Sequence, residues 1–354
     1  MKKISRLLLG AAIGTMAYGS VAQAQELKEV AFMSSNHQSC SPFPQMVAQV
    51  MGFWEAEGIK VNLLNTQTSV PYVAFLQNGD ADIAMLDSAQ VLQAADADLP
   101  IKVIYEAYQF APEAIVVVDE SPIQGLEDLE GKTIGMASDR DLITTVIAMD
   151  SIGKTLEGSN ITTVVVGDSG PVMAGALTNG TIDAFAGGGS DRAGIEAAGV
   201  KIRNITPAAV SRNPGNSHAV WGPTMEEKRD IISAFVKGWA MGQHVGVLNT
   251  KLAGSACRVM VPEAFENLQV GMNLMNSGAY TTQVRRTKNF GELQPDVWAA
   301  IQGPYVKLGE ISKAIEPDDF LDSSFTEAAN DFTTDDVKKK MEAWAEANPD
   351  LLIN

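Results

Sequence analysis

The chain has 354 residues, of which 45% are hydrophobic and 19% are charged, and its formal net charge at pH 7 is -17. This length is enough for two domains that each bury a substantial core. The strong negative charge argues against nucleic acid and anionic membrane surfaces as partners, because both would repel the protein.

Residues 1–24 have the composition of a bacterial secretory signal. Basic residues near the amino terminus precede an apolar run from Leu7 to Ala17, and Ala22-Gln23-Ala24 supplies the small residues of a cleavage site. The apolar run is too short to cross a bilayer. We therefore expect a protein that is exported to the periplasm and begins at Gln25.

Short apolar segments that alternate with helical patterns follow the signal, and they predict βαβ units with a largely parallel sheet. Phe43, Met46, Val47 and Trp54 recur at the spacing of one helical face. The first series of strands is expected at residues 29–33, 59–65, 83–86 and 101–105. A second series is expected at residues 114–118, in a segment ending near 137, and at residues 161–166, 182–186 and 202–205.

The same short motif occurs once in each series. "LQNGDADIAML" and "LTNGTIDAFAG" both fit Leu-x-Asn-Gly-x-x-Asp, with the glycines at Gly79 and Gly180. Glycine supplies the positive φ that a helix end requires, and the aspartate is placed to bond turn amides before the next strand. A single copy is common between a helix and a strand, but two copies in matching positions predict two similarly built lobes.

The chain after residue 205 changes character. An irregular stretch is followed by a strand expected at residues 219–221, and Thr224 with Glu227 has the pattern of a helix capping box. From there to Asn354 the pattern is mostly helical, with no further parallel strand. These helices therefore need to pack on a sheet that the chain has already formed.

Five segments, in this order, resemble the taurine, nitrate, sulfonate and thiamine-precursor group of ABC-transporter substrate-binding proteins. They are "GFWEAEGIKVNLL", "LQNGDADIAMLDSAQ", "LEDLEGKTIGMAS", "LTNGTIDAFAG" and "ISAFVKGWAMGQHVGVLN". The resemblance implies an α/β, two-lobed type II periplasmic binding fold, in which each lobe is a mainly parallel sheet flanked by helices. The implied first lobe is 25–108 plus 222–354, the second lobe is 109–221, and the hinge candidates are 108–113 and 213–221.

The resemblance also implies a function. A small molecule bridges the two lobes and favours their closed form, which docks as a monomer on an ABC permease of the inner membrane. Two alternatives stay open: a periplasmic sensor that presents its ligand to a membrane receptor, and a pyrimidine-synthesising enzyme of the same fold, whose cysteine-rich motif is missing here. His37, His218 and His244 form no metal-binding pair, so neither a metal nor another cofactor is expected.

Open parallel sheets bind ligands beyond the carboxyl ends of their strands, where helix amino termini present free N–H groups. Several residues there have a structural alternative, such as helix capping for Asp87, Ser138 and Asp191, or solvent exposure for Arg140. Tyr108 and Trp221 are predicted to form aromatic walls of the cleft, and the alternative role for both is packing within the hinge. The candidate ligand-binding residues are Asn36, His37, Thr66, Asp87, Ser88, Tyr108, Ser138, Arg140, Ser169, Gly189, Asp191 and Trp221.

The charges of these loops bear on the ligand. The loops hold more acids than bases, namely Asp87, Asp139, Asp168 and Asp191 against Arg140 and Arg192. A fully anionic ligand would be repelled unless the acids point away, although helix amino termini would favour it. The balance favours a zwitterionic, nitrogen-bearing or heterocyclic organic molecule over sulfonate or nitrate.

Cys40 and Cys257 are the only cysteines. An oxidising compartment would let them pair if the fold brings them within reach. The sequence leaves both the paired and the unpaired state open.

Overall fold

In the computed structural model, residues 26–34, 40–64, 72–211, 213–282 and 287–353 are described. They form two five-stranded sheets with helices on both faces, which confirms the α/β class predicted from the sequence. Within these ranges no helix has the length and apolar composition needed to cross a membrane. The predicted signal at residues 1–24 lies outside them.

The first sheet is mixed, with one strand antiparallel to its two neighbours. Its strands are β1 (Lys28–Met33), β2 (Ile59–Leu64), β3 (Ile83–Leu86), β4 (Ile101–Tyr105) and β10 (Ser217–Trp221). They lie in the order β2, β1, β3, β10, β4, and β10 runs antiparallel to β3 and β4. Strand β3 is buried along its whole length, as expected for a strand covered on both faces.

The second sheet repeats this topology. Its strands are β5 (Ala114–Val118), β6 (Thr133–Met136), β7 (Thr162–Val165), β8 (Ala184–Gly187) and β9 (Ile202–Asn204). They lie in the order β7, β6, β8, β5, β9, and β5 is the antiparallel strand. In each sheet the antiparallel strand is the one that the chain forms directly after crossing from the other sheet.

The position of β10 corrects the predicted boundary at residues 221 and 222. That boundary placed Ser217–Trp221 in the second lobe, but these residues hydrogen-bond to β3 and β4 of the first sheet. The chain has therefore returned to the first sheet before Ser217. The reason is that a local hydrophobic pattern can predict the strand at 219–221 but not the sheet in which that strand pairs.

Sixteen α-helices lie within the described ranges, together with short 3₁₀ turns that include Asp139–Asp141. The helices are α1 (Phe43–Val50), α2 (Phe53–Ala56), α3 (Val73–Asn78), α4 (Ser88–Asp96), α5 (Leu142–Asp150), α6 (Gly170–Thr178), α7 (Gly189–Ala197), α8 (Ala208–Ser211), α9 (Gly222–Glu227), α10 (Arg229–Leu248), α11 (Thr250–Met260), α12 (Leu268–Thr281), α13 (Pro295–Ala300), α14 (Gln302–Leu308), α15 (Thr326–Ala329) and α16 (Thr334–Ala347). We call the first sheet with α1–α4 and α9–α16 the first lobe, and the second sheet with α5–α8 the second lobe.

The repeated motif has the same geometry in both lobes. Gly79 and Gly180 follow α3 and α6 with φ angles of 76° and 77°, the left-handed values that the sequence predicts. The aspartates, however, do not bond the turn. Asp82 accepts a hydrogen bond from the backbone N–H of Ala31 at 2.8 Å, and Asp183 accepts one from that of Thr133 at 2.9 Å. Each aspartate thus ties its own strand to the neighbouring parallel strand.

The carboxy-terminal helices pack on the first sheet, as expected. Helix α10 covers one face, where Phe235 and Trp239 join the core, and α13 covers the other face with Trp298. Each sheet therefore has a hydrophobic cluster on both sides. Burial of these aromatic side chains holds the carboxy-terminal helices on the first sheet, because each contributes on the order of 2 to 3 kcal/mol to stability.

Helix α10 contacts α1 almost backbone to backbone at Gly242. A Cβ atom added there would lie 2.3 Å from the carbonyl oxygen of Pro44 and 3.2 Å from the amide nitrogen of Ala48. Gly238 and Gly246, one turn away on either side, face aromatic rings of the first lobe in the same way. These glycines occur in one of the segments that carry the family resemblance, and their role is close helix packing.

Gly242→Ala is therefore expected to destabilise the protein by about 1 to 3 kcal/mol, because the added methyl group forces α10 and α1 apart. Gly175 in α6 provides a matched control, since a Cβ added there meets nothing within 4 Å. Gly175→Ala should leave stability unchanged or raise it by up to about 1 kcal/mol. Urea unfolding measures both, and equal midpoints for the two variants would contradict the packing argument.

Cys40 and Cys257 form a disulfide, with their Cα atoms 6.0 Å apart. This settles the question that the sequence left open. Both residues are completely buried, and the bond joins the segment before α1 to α11. The bond also holds Cys40, which directly follows residues 35–39. Two of the predicted ligand contacts, Asn36 and His37, belong to that segment.

Candidate functional site

Two chain segments cross between the sheets and run side by side. The first spans residues 106–113, and the second ends before Ser217. The backbone N–H of Tyr108 donates to the carbonyl of Asn216 at 2.9 Å, and that of Gly215 donates to the carbonyl of Tyr108 at 2.9 Å. Both crossings overlap the predicted hinge segments 108–113 and 213–221, and Tyr108 of the first crossing is buried.

We call the boundary between the two lobes beside the crossing at residues 106–113 the seam. The amino-terminal end of α4, in the first lobe, lies at this seam. Asp87 caps this helix, since its Oδ1 accepts a hydrogen bond from the backbone N–H of Gln90 at 2.8 Å. Ser88 is buried, and its hydroxyl donates to the carbonyl of Pro214 in the second crossing at 2.8 Å. Both residues therefore lie at the seam and support its structure, and ligand contact by either stays a prediction.

The second lobe presents the starts of three helical segments. The backbone N–H of Ser138 donates to Oδ2 of Asp141 at 2.8 Å, and that of Gly188 donates to Oδ2 of Asp191 at 2.8 Å. Ser169 directly precedes α6. Burial is the main cause that raises the pKa of Asp191 above its ordinary value. Ser138 and Asp191 thus both take part in helix capping, which is the structural role that the sequence offered as the alternative to ligand contact.

Two buried polar side-chain groups, one at the start of β10 and one in α1, have no hydrogen-bond partner among the described residues. Ser217 pairs with Leu86, at the carboxyl end of β3, and its hydroxyl is buried and unpartnered among the described residues. Gln45 accepts a hydrogen bond from the Ser34 hydroxyl, but its buried Nε2 likewise lacks a partner there. Buried polar groups are nearly always bonded, so these two are candidates for contact with a ligand or a water molecule. Neither carried a sequence motif that would have singled it out.

The lobes touch on both sides of the seam. Helix α7 packs against α12 so closely that a Cβ atom added to Gly189 would lie 2.5 Å from Oγ of Ser277. Helix α5 packs against α14, where Lys307 forms an ion pair with Asp150. Ile147 of α5 contacts hydrophobic clusters of both lobes. Gly189, predicted as a ligand contact, therefore lies at a contact between the lobes.

Glu113, the last residue of the first crossing, has the most perturbed carboxyl group of the seam. Loss of solvation raises its pKa to about 7, and the negative charges of Asp87 and Asp141 add to this effect, while Arg192 opposes it. Asp87 belongs to the first lobe and Asp141 to the second, so negative charges from both lobes raise the pKa of this carboxyl group.

Two further side chains define this part of the seam. Arg192 donates through Nη2 to the carbonyl of Pro112 at 2.7 Å and through Nε to that of Gly188 at 3.4 Å, so it supports the backbone of the crossing. Tyr305 of α14 is buried, and burial raises the pKa of its phenol, helped by the charges of Asp87 and Glu113. Sequence reasoning noted Arg192 only as a charge and missed Tyr305, because nothing local marks a tyrosine of a distant helix as a neighbour of α4.

The remaining candidates have different outcomes. Trp221 pairs with Ile101 at the amino end of β4. It therefore lies at the end of the strands that is farther from the seam. The prediction of a cleft wall at Trp221 is therefore wrong, because β10 runs antiparallel and presents its first residue to the seam. Arg140 is exposed in the turn before α5. Asn36, His37 and Thr66 lie outside the described residues.

Two surface cavities are lined only by first-lobe residues. One, of about 390 Å³, lies between α11 and α16 and includes Leu252 and Met341. The other, of about 1180 Å³, is an open polar groove that includes Arg229 and Asn330. Neither includes a residue of the crossings, so neither corresponds to the predicted cleft.

Comparison with known families adds to this geometry. Residues 41–245, well over half of the chain, match the family described as NMT1/THI5 like. The chain belongs to the NMT1/THI5-like family. The match runs from the disulfide-linked segment before α1 through both crossings to α10, and thus includes every described element of the seam except those in α12–α14.

Individual relatives of this NMT1/THI5-like chain are distant. The riboflavin-binding protein RibY of Chloroflexus aurantiacus is 25% identical over 232 residues, which is 62% of this chain and 63% of RibY. The chain thus matches less than two thirds of the length of this relative. Among solved structures, the periplasmic aliphatic sulphonate binding protein SsuA of Escherichia coli has a TM-score of 0.65 at 13% identity, over 82% of this chain and 91% of SsuA.

The same fold also occurs in an enzyme. The desulfurization enzyme DSZB has a TM-score of 0.58 at 14% identity, over 85% of this chain and 98% of that chain. At such identities these likenesses show the fold alone. They confirm the periplasmic-binding-protein fold that the sequence predicts, and they leave activity to be argued from the site.

Proposed function

We propose that the protein is a periplasmic solute-binding protein of an ABC import system. It is secreted through residues 1–24, captures a small organic molecule between its two lobes by hinged closure, and delivers that molecule as a monomer to a permease of the inner membrane. The observation that carries the proposal is the seam, where two adjacent crossings join the lobes and helix starts from both lobes meet. RibY and SsuA, which are binding proteins by name, support it.

The ligand we propose is a nitrogen-bearing or heterocyclic organic molecule, including zwitterions. The negative charges of Asp87 and Asp141 both raise the pKa of Glu113, while the Arg192 guanidinium donates to backbone carbonyls. Such an environment favours N–H donors over sulfonate or nitrate. The binding of riboflavin by RibY agrees with a heterocycle, whereas the sulfonate binding of SsuA is the competing precedent.

A ligand screen tests this proposal. Riboflavin, aminopyrimidines and small amines are compared with taurine, alkanesulfonates and nitrate by thermal shift, and mass spectrometry identifies any molecule that the purified protein retains. A ligand at about a hundred times its Kd stabilises the folded state by about 2.7 kcal/mol, which raises the Tm by several degrees. The ligand proposal fails if only the anions stabilise the protein, and turnover of a bound compound would favour an enzyme instead.

Hinged closure has its own test at Gly189. Gly189→Val is expected to weaken binding of the stabilising ligand by about tenfold, because the larger side chain meets Ser277 and keeps α7 from approaching α12. Isothermal titration measures the change. Gly175→Val places the same side chain where a Cβ meets nothing within 4 Å, so it controls for the loss of a helical glycine. Equal affinities for the two variants would contradict closure through this contact.

A further inference from the structure

The cavity between α11 and α16 belongs to the first lobe, and none of its lining residues is part of a crossing. Its volume of about 390 Å³ is within the range of about 300 to 1000 Å³ in which proteins hold small ligands. Much of its lining is apolar, which favours the hydrocarbon part of a ligand over water. The apolar residues that line it are Leu252, Met341, Ala345, Leu352 and Ile353.

One end of the cavity is closed by the chain that follows α16. The backbone N–H of Ile353 donates to Oγ of Ser255 at 2.9 Å, and that hydroxyl donates to the carbonyl of Lys251 at 2.9 Å. The start of α11 is held as well, since Oδ1 of Asn249 accepts a hydrogen bond from the backbone N–H of Leu252 at 3.0 Å. The walls are therefore fixed by hydrogen bonds within the lobe.

Two lysines line the cavity, one from each helix. Lys251 lies one turn before Ser255 in α11, and Lys338 lies two turns before Ala345 in α16. The charge of Lys338 also acts on His244, whose helix leads into α11. Both ammonium groups therefore lie towards the end of the cavity that is farther from the carboxy-terminal residues.

These two ammonium groups have no counter-ion. Neither has an ion pair or a hydrogen bond among the described residues, whereas seven other lysines there form ion pairs with carboxylates. Glu342 is the only acid that lines this cavity in the described chain, so positive charge exceeds negative charge at its edge. The first turn of α11 adds positive potential. On a chain with a net charge of -17, this is a local site for an anion.

We propose that this cavity is a second binding site, which takes a single-chain amphipathic anion with a carboxylate at one end of an unbranched alkyl chain. The alkyl chain lies against Leu252 and Met341, and the carboxylate lies between the ammonium groups of Lys251 and Lys338. Glu342 repels a second negative charge, so the site prefers monocarboxylates. The inference is independent of the proposed function, because it needs neither the seam nor a movement of the lobes.

Octanoate, octanamide and suberate test the proposal, because they share a chain length and differ in charge. Methionine methyl groups labelled with ¹³C report on the site by NMR, since Met341 lines the cavity. Octanoate should shift the Met341 methyl signal, assigned with Met341→Leu, and the shift should saturate. Octanamide should bind about two- to fivefold more weakly, because it lacks the charge that the lysines attract. Suberate should bind more weakly than octanoate, because its second carboxylate would lose water against apolar side chains.

Variants separate the two parts of the site. Ala345→Phe places a ring in the cavity and should weaken octanoate binding at least tenfold. Lys251→Gln and Lys338→Gln should each weaken it about two- to fivefold, and both are exposed, so the fold is retained. Lys339→Gln is the matched control, because Lys339 is an exposed neighbour that does not line the cavity. It should bind octanoate as the wild type does.

The proposal is overturned if octanoate leaves the Met341 methyl signal unchanged, or if the lysine variants and Ala345→Phe bind octanoate as tightly as the wild type. Equal affinity for octanoate and octanamide also overturns it, since the cavity would then bind alkyl chains without regard to charge. Binding that is weakened by Gly189→Val but not by Ala345→Phe would place octanoate at the seam instead.

Discussion

Replacing both Cys40 and Cys257 with alanine is expected to lower the free energy of unfolding by about 2 to 5 kcal/mol. The two residues are 217 positions apart in the chain, so the bond closes a very long loop and strongly restricts the unfolded state. Both are fully buried, so the bond joins two parts of one core. Urea unfolding followed by circular dichroism measures the loss.

Reductant provides the matched control for this experiment. It should lower the unfolding midpoint of the wild-type protein towards that of the double alanine variant, and it should leave the variant unchanged. If the oxidised wild type and the variant unfold at the same midpoint, the disulfide does not stabilise the fold. A stabilising disulfide also agrees with the proposed periplasmic location, because disulfides persist in oxidising compartments.

Acid is expected to destabilise the protein through His218 before most carboxyl groups titrate. His218 is completely buried among Phe32, Tyr105, Phe235 and Trp239, and neither ring nitrogen has a hydrogen-bond partner among the described residues. This burial lowers its pKa to about 3.

The sign follows from comparing the two states. In the unfolded chain a histidine takes up a proton below about pH 6.5, whereas folded His218 stays neutral down to about pH 3. His218 therefore does not change the free energy of unfolding above about pH 6.5, and below it that free energy falls by about 1.4 kcal/mol per pH unit, a loss of about 3.5 kcal/mol at pH 4. His218→Leu should therefore show a flatter loss of stability between pH 6.5 and pH 4 than the wild type does.

The slope of stability against pH is the measurement to use, because it does not depend on how well leucine fits the core. His244→Leu is the comparison, since His244 is less completely buried, its pKa is also lowered by burial, and its Nε2 lies 3.2 Å from the Thr334 hydroxyl. It should flatten the profile less than His218→Leu. Identical slopes for wild type and His218→Leu would show that His218 is protonated in the folded state, contrary to this account.

Most of the fold could be predicted from local patterns. Strands at residues 83–86, 101–105 and 114–118 begin and end where the sequence predicts, because each is a short apolar run bounded by turn residues. The repeated motif also predicted two similar lobes, and both glycines have the expected positive φ. Its aspartates were placed wrongly, because their partners belong to the neighbouring strand rather than to the turn.

The seam was less predictable, because its properties depend on residues far apart in the chain. Asp87 and Ser88 were predicted from their place after β3, and they do lie at the seam. Glu113 appears in the sequence as an ordinary acid next to a proline, and its pKa is raised mainly by loss of solvation and further by the charges of Asp87 and Asp141, which are distant in the sequence or in the other lobe. Trp221 was assigned to the wrong end of its strand. The direction of that strand is set by pairing with strands that are distant in the sequence.

The late position of β10 in the chain has a consequence for the order in which the two sheets can be completed as the chain is synthesised. All five strands of the second sheet lie between Ala114 and Asn204, so that sheet is available in full while the gap between β3 and β4 still awaits Ser217–Trp221. The lobe that begins the polypeptide is thus the last to be finished, and its sheet stays incomplete until Ser217–Trp221 have been added.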